Sequence, residues 1–152
     1  MTNLISKLQP FAPTLVRLGM SAVFVWFGLN QLMSPSLWTG YVPDMAANLV
    51  GGNVTLLVLL NGWFEVVAGL TLALGLQVRL ISFLLGAHLI VISTSLGTSS
   101  IAIRDYGLSI ATLSIVLAGA DIWALDRRFI HTKREIPLPP PTRPFPPRPP
   151  RI

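Results

Sequence analysis

Two ionisable side chains, Glu65 and His88, stand in the middle of long apolar stretches. A charge there is costly in lipid and by default marks function. A carboxyl and an imidazole are groups that exchange protons near neutral pH, so the pair can handle a proton or bind a ligand. A lipid-soluble quinone suits such a pocket, because its carbonyls need donors and its reduction takes up protons. Arg17 and Asp121 lie towards the ends of two other apolar stretches, and Arg17 can reach either Glu65 or Asp121 if the faces meet. A competing reading uses the same residues structurally. In it, Arg17, Glu65 and Asp121 form an intramembrane charge network that neutralises itself and fixes helix register, and His88 is a satisfied polar side chain.

Several chemistries are excluded. One histidine and one glutamate cannot make a metal site alone, so no metal is expected, and a haem ligated by His88 has no second ligand but a methionine. No cysteine is present, which removes disulfides, thiolate sites and Cys-x-x-Cys redox chemistry. A Gly-rich phosphate loop, a G-x-S-x-G elbow and an H-E-x-x-H helix are all missing.

The elements that must position these residues are membrane spans. Of the 152 residues, 52% are hydrophobic and 11% charged, against about 25% charged in an ordinary soluble domain. Mean hydropathy is +0.66. Four windows have the roughly 20 apolar residues needed to cross about 30 Å of hydrocarbon. They fall at about 12–33, 54–75, 79–97 and 105–125. Pro13 sits near the start of the first, Asn53 caps the second and Gly75 stops it, and Asp105 opens the fourth. The expected fold is all-α: an integral membrane four-helix bundle over residues 1–126, followed by a basic, Pro-rich, extended tail over 127–152.

Charge sets the expected orientation. Arg127 to Ile152 carry seven Lys/Arg and one Glu, net +6, whereas residues 1–126 carry four Lys/Arg and five Asp/Glu, net −1. The body therefore offers no basic face to a nucleic acid. Lys7, Arg79 and the tail lie at one side, and the loop from Ser34 to Asn53 has no Lys or Arg. The positive-inside rule then places both termini in the cytoplasm and the protein in a bacterial-type inner membrane. Arg104 is the exception on the outer side, with Asp105 beside it as a local partner. Trp38, Tyr41 and Tyr106 fall at the outer interface and Trp123 at the inner one. The loop has room for a short interfacial helix after Pro43, broken at Gly51-Gly52.

Helical spacing gives the inward faces. Arg17, Ser21, Phe24, Gly28 and Gln31 share one face of the first span, and Asn61, Glu65, Ala68 and Leu72 share one of the second, with Gly69 beside it. On the fourth, the expected face is Arg104, Gly107, Ala111, Ser114, Ala118 and Asp121. Counting about 1.5 Å per residue puts Glu65 roughly 15 Å and His88 roughly 14 Å above the inner ends of their helices, a shared level.

LVRLGMSAVFVWFGLNQL in the first span, EVVAGLTLALGLQVRL across the second and third, and RDYGLSIATLSI opening the fourth together resemble the DoxX family of small four-helix membrane proteins. The resemblance covers about residues 14–125, and its family-like positions are Arg17, Gly28, Glu65, Gly69, Gly75, Arg79, Arg104, Asp105 and Leu108. Members often carry a lysine shortly after the glycine matching Gly28, where this chain has Asn30 and Gln31. The resemblance implies a redox association. One branch is similar to the membrane subunit of a thiosulfate:quinone oxidoreductase, and thiol chemistry known in some relatives does not transfer to a chain without cysteine.

The tail segment IPLPPPTRPFPPRPPRI holds nine of the 13 prolines and favours an extended polyproline II strand. It either stays solvated, touching anionic lipid through its arginines, or docks on a partner subunit, with Pro140, Arg143, Phe145 and Arg148 as the contacts. The first expectation for function is a membrane subunit that anchors or completes a larger redox or energy-converting complex, with no self-contained active site. The alternatives are a quinone-reactive subunit using Glu65 and His88, and a small transporter or channel. Partners expected are the lipid bilayer and other membrane subunits, with self-association open.

Overall fold

The computed structural model describes residues 2–127. The candidate tail contacts Pro140, Arg143, Phe145 and Arg148 lie outside the described residues. A short helix α1, Thr2–Leu8, runs through a 3-10 turn into α2, Ala12–Met33. Two further 3-10 turns, Pro35–Leu37 and Thr39–Tyr41, lead to α3, Asp44–Leu49, which ends before Gly51 and Gly52, both at positive φ. Then come α4, Val54–Leu74, α5, Val78–Ser95, and α6, Ser100–Ala118. The stretch Leu4–Met33 and the helices α4, α5 and α6 are long and apolar enough to cross a membrane. Their outward side chains are apolar: Leu15, Trp26, Trp63, Phe83, Ile110 and Leu117 are all more than half exposed. This is a surface for lipid.

The bundle is two tight hairpins set side by side, α2 on α4 and α5 on α6. Gly28 and Gly62 lie back to back: a Cβ on Gly28 would stand 2.6 Å from the Gly62 carbonyl oxygen. Gly86 of α5 makes room instead for the Leu113 side chain of α6, with the Ser109 carbonyl 3.4 Å from where its Cβ would be. Gly69 takes Phe24 and Val25 against its missing side chain. Without a hydrophobic drive between helices in lipid, such close backbone approach is what holds them.

The fourth span corrects the expectation. It begins at Ser100 rather than Asp105, because the Ser99 hydroxyl accepts the Ala102 N–H and caps it. It stops at Ala118 rather than Leu125, because Gly119 takes φ 73°. With the phase shifted, its buried face is Ala102, Asp105, Ser109, Thr112 and Ile115. Gly107, Ser114 and Ala118, expected inside, face outwards. The Arg79 guanidinium packs against Gly119.

Residues 119–127 fold back across the end of the bundle instead of crossing it. Gly75 terminates α4 in the left-handed region, with the Leu76 N–H reaching the Thr71 carbonyl and its own N–H the Leu72 carbonyl. Ala124 packs where a Gly75 side chain would be. The Asp126 carboxylate then accepts the Gln77 and Val78 N–H groups, both at 2.8 Å, and so caps α5 from far along the chain. Asp126→Ala should lower stability by about 1–2 kcal/mol, the size of a charge-assisted cap. Thermal unfolding in detergent measures this, and no change would remove the capping role.

Candidate functional site

Two polar clusters, one at an end of the bundle and one near the middle of its spans, separate Arg17 and Asp121 from Glu65 and His88. At one end Arg17, buried on α2, donates through Nε to Asp121 at 2.6 Å and through Nη1 to the Leu72 and Ala73 carbonyls. Both belong to the last turn of α4, where the Leu72 carbonyl accepts only the Gly75 cap N–H and the Ala73 carbonyl has no backbone donor. Arg17 thus joins α2, the end of α4 and the segment after α6 in one contact. Its partner is Asp121, and Glu65 belongs to the other cluster. Burial works against the Asp121 carboxylate, but hydrogen bonds from Arg17 and the Trp123 N–H outweigh it and hold the carboxyl below the usual aspartate range.

The second cluster surrounds Glu65. Gln31 of α2 donates to its Oε2 at 2.9 Å. Asn61, one turn earlier on α4, donates to Glu65 Oε1 at 3.1 Å and to Gln31 Oε1 at 2.7 Å. A carboxyl and two amides therefore close a small ring across the α2–α4 contact. His88 comes in from α5, with Nε2 3.6 Å from Glu65 Oε1. That is beyond hydrogen-bond length, and Nε2 is buried with no partner. Phe64 meets the imidazole edge to face at 5.0 Å. The shared level counted from the sequence is the level at which the two side chains meet.

Above this cluster, between α2, α4, α5 and α6, lies a cavity of about 900 Å³ at the end carrying the 34–53 loop. That volume is at the upper end for small-molecule sites. Glu65, Gln31, Asn61 and His88 are part of its polar lining, while Phe24, Phe27, Trp38 and Tyr41 are aromatic walls. Trp38 packs edge-on against Phe27 at 5.6 Å, which folds the loop over the cavity. Arg104 and Asp105 also line it, paired at 2.7 Å. At the opposite end the apolar core, with Phe24, Leu72, Leu85 and Ile115 all nearly fully buried, separates the cavity from Arg17. Among the described residues no group of three or more His, Cys, Asp or Glu could hold a metal.

Sequence reasoning placed Gln31 and Asn61 on inward faces but did not join them to Glu65. The available signal was the one-turn spacing of Asn61 and Glu65, with Gln31 at the same end of its own face. The roles of Asp126 and Phe27 had no such signal, since they arise from chain segments that meet only in the fold.

Four spans around a half-open, mostly apolar cavity define a multi-pass α-helical membrane protein with a ligand-sized interior site. The family model for DoxX matches residues 12–97, and the chain belongs to that family. The match runs from α2 to just beyond α5, so it contains Arg17, Gly28, Glu65, Gly69, Gly75, Arg79 and His88 but not Arg104 or Asp105. No curated protein and no solved structure matches the chain.

Proposed function

We propose that this DoxX-family chain is the quinone-reactive membrane subunit of a larger oxidoreductase, binding the quinone head in the loop-end cavity. The observation that carries the reading is His88 Nε2, buried without a hydrogen-bond partner in the lining of an apolar cavity, 3.6 Å from a carboxyl oxygen. A buried polar atom left unpaired calls for a partner, and a carbonyl oxygen supplies one. The fit extends to the walls, where aromatic side chains suit a flat ring. A quinone supplies two-electron acceptor chemistry when bound, with the electrons coming from a partner subunit. His88 donates the hydrogen bond that orients the ring, and Glu65 passes through His88 one of the two protons that quinol formation takes up, the other coming from water at the loop end of the cavity. Gln31 and Asn61 hold the Glu65 carboxyl in place and keep it from turning away.

In this reading the positive-inside rule puts both termini in the cytoplasm of an inner membrane and the cavity in the outer half. The subunit role expected from the resemblance is retained, with a ligand site added to it, and the Pro-rich tail is the segment offered to the partner. Equilibrium binding of a short-chain quinone to the purified protein in nanodiscs tests the assignment. His88→Ala should weaken binding about tenfold. Glu65→Gln should preserve binding while lowering quinol formation in native membranes by about a hundredfold, with protein abundance unchanged. A loss of activity matched by a loss of abundance would return both residues to a structural role.

A further inference from the structure

The two hairpins leave two looser seams, and a side-chain contact crosses each of them. Across α4 and α5, Glu65 faces His88. Across α2 and α6, Arg104 reaches from α6 and lies over the Phe27 ring, its guanidinium carbon 5.2 Å from the centroid. Only its Nε is engaged, by Asp105 at 2.7 Å. Among the described residues neither Nη group makes a hydrogen bond. The side chain is 49% exposed, and both it and Phe27 line the cavity. An arginine near the end of a span ordinarily extends towards the headgroups. This one is turned onto an aromatic face and fixed there by the buried carboxylate beside it.

The level of that ring follows from the helix contact beneath it. Phe27 adjoins Gly28, whose Cα faces the Gly62 carbonyl and Val66, and Val66 adjoins Glu65. Phe27 therefore lies near the level of Glu65, and the guanidinium over its ring lines the same cavity from the α2–α6 seam, across from the α4–α5 seam. One wall presents the unpartnered His88 Nε2, and the other presents two unpartnered Nη groups.

Resting on the quinone reading above, we infer that Arg104 is a specificity-determining residue whose free Nη edge donates to the second carbonyl of the ring held at its first carbonyl by His88. The cavity then selects a flat head with acceptors on two opposite edges. A ring with one carbonyl satisfies only half of it. Asp105 is the positioning residue, since it engages Nε and leaves the Nη edge free.

The test is calorimetric titration of the full chain in nanodiscs with 1,4-naphthoquinone and with 1-tetralone, its one-carbonyl analogue. The unsubstituted protein should prefer the naphthoquinone by about tenfold or more, the worth of one hydrogen bond to a charged group. Arg104→Met should erase that preference by weakening naphthoquinone alone. Because it leaves Asp105 buried without its partner, Arg104→Met combined with Asp105→Asn is the second variant, with its thermal transition checked first. His88→Ala should weaken both ligands. A preference that survives in the folded double variant overturns the role of Arg104, while the His88 dependence would still support the cavity. An unsubstituted protein that binds neither ring overturns the quinone reading and the inference together.

Discussion

Arg17→Met is expected to destabilise the bundle by about 3–5 kcal/mol, the cost of breaking one side of a buried ion pair. Both side chains of the pair are almost wholly buried, at 2% and 1% exposure. Removing the guanidinium leaves the Asp121 carboxylate without its cation, strips the Ala73 carbonyl of its donor and leaves the Leu72 carbonyl with the Gly75 N–H alone. Three elements lose their common contact at once. Pairing the change with Asp121→Asn should recover part of the loss, because no uncompensated charge remains. A double-mutant cycle on unfolding in detergent reads the coupling, and strictly additive effects would mean that the pair contributes nothing beyond its parts.

The same pair sets an acid limit. Asp121 titrates lower in the folded protein than in the unfolded chain, so the unfolded state binds the proton first as pH falls. Its contribution is complete above the ordinary aspartate range. It declines through that range and is gone once the pH passes below the lowered folded value. In Asp121→Asn this part of the acid decline should disappear.

Gly28→Leu is the second large effect, expected at about 3 kcal/mol or more, beyond the usual range for overpacking because the obstacle is backbone. A Cβ there would lie 2.6 Å from the Gly62 oxygen and 2.9 Å from the Val66 nitrogen. Neither can yield without parting α2 from α4, and that separation also displaces Gln31 from Glu65. Stability and ligand binding should therefore fall together. Gly107→Leu is the control, since nothing lies within 4 Å of a side chain at that position. It should shift stability by no more than about 0.5 kcal/mol. Equal losses at the two positions would remove the close-approach argument.

The contrast between these two glycines shows how far the sequence could be read. The inward face of α2 was legible because Arg17, Ser21, Phe24, Gly28 and Gln31 repeat at helical spacing within one uninterrupted helix. The meeting of Glu65 and His88 was legible because depth along a span follows from counting residues. The fourth span differs from the expectation at both ends, at its start through the Ser99 cap and at its end through Gly119. Its apolar run continues past Gly119 to Leu125, and composition alone does not show a chain that has stopped spanning and begun to fold back. That error in phase turned Gly107 inward on paper. The choice between Glu65 and Asp121 for Arg17 was equally out of reach, because it is made by the fold-back segment crossing the end of α4.

The hairpin pairing has a mechanical consequence. Each hairpin is stiff along its glycine contacts, and the two are pinned together at one end by Arg17 and the strap that Asp126 fastens to α5. Towards the other end, where the cavity lies, side chains rather than backbones meet across the seams. Such an object behaves like a clothes-peg. On the quinone reading proposed above, its jaws part to admit a long-tailed guest sideways from the bilayer while the spring end stays shut, so the width of the gap, more than the resting volume, sets the bulk of what enters.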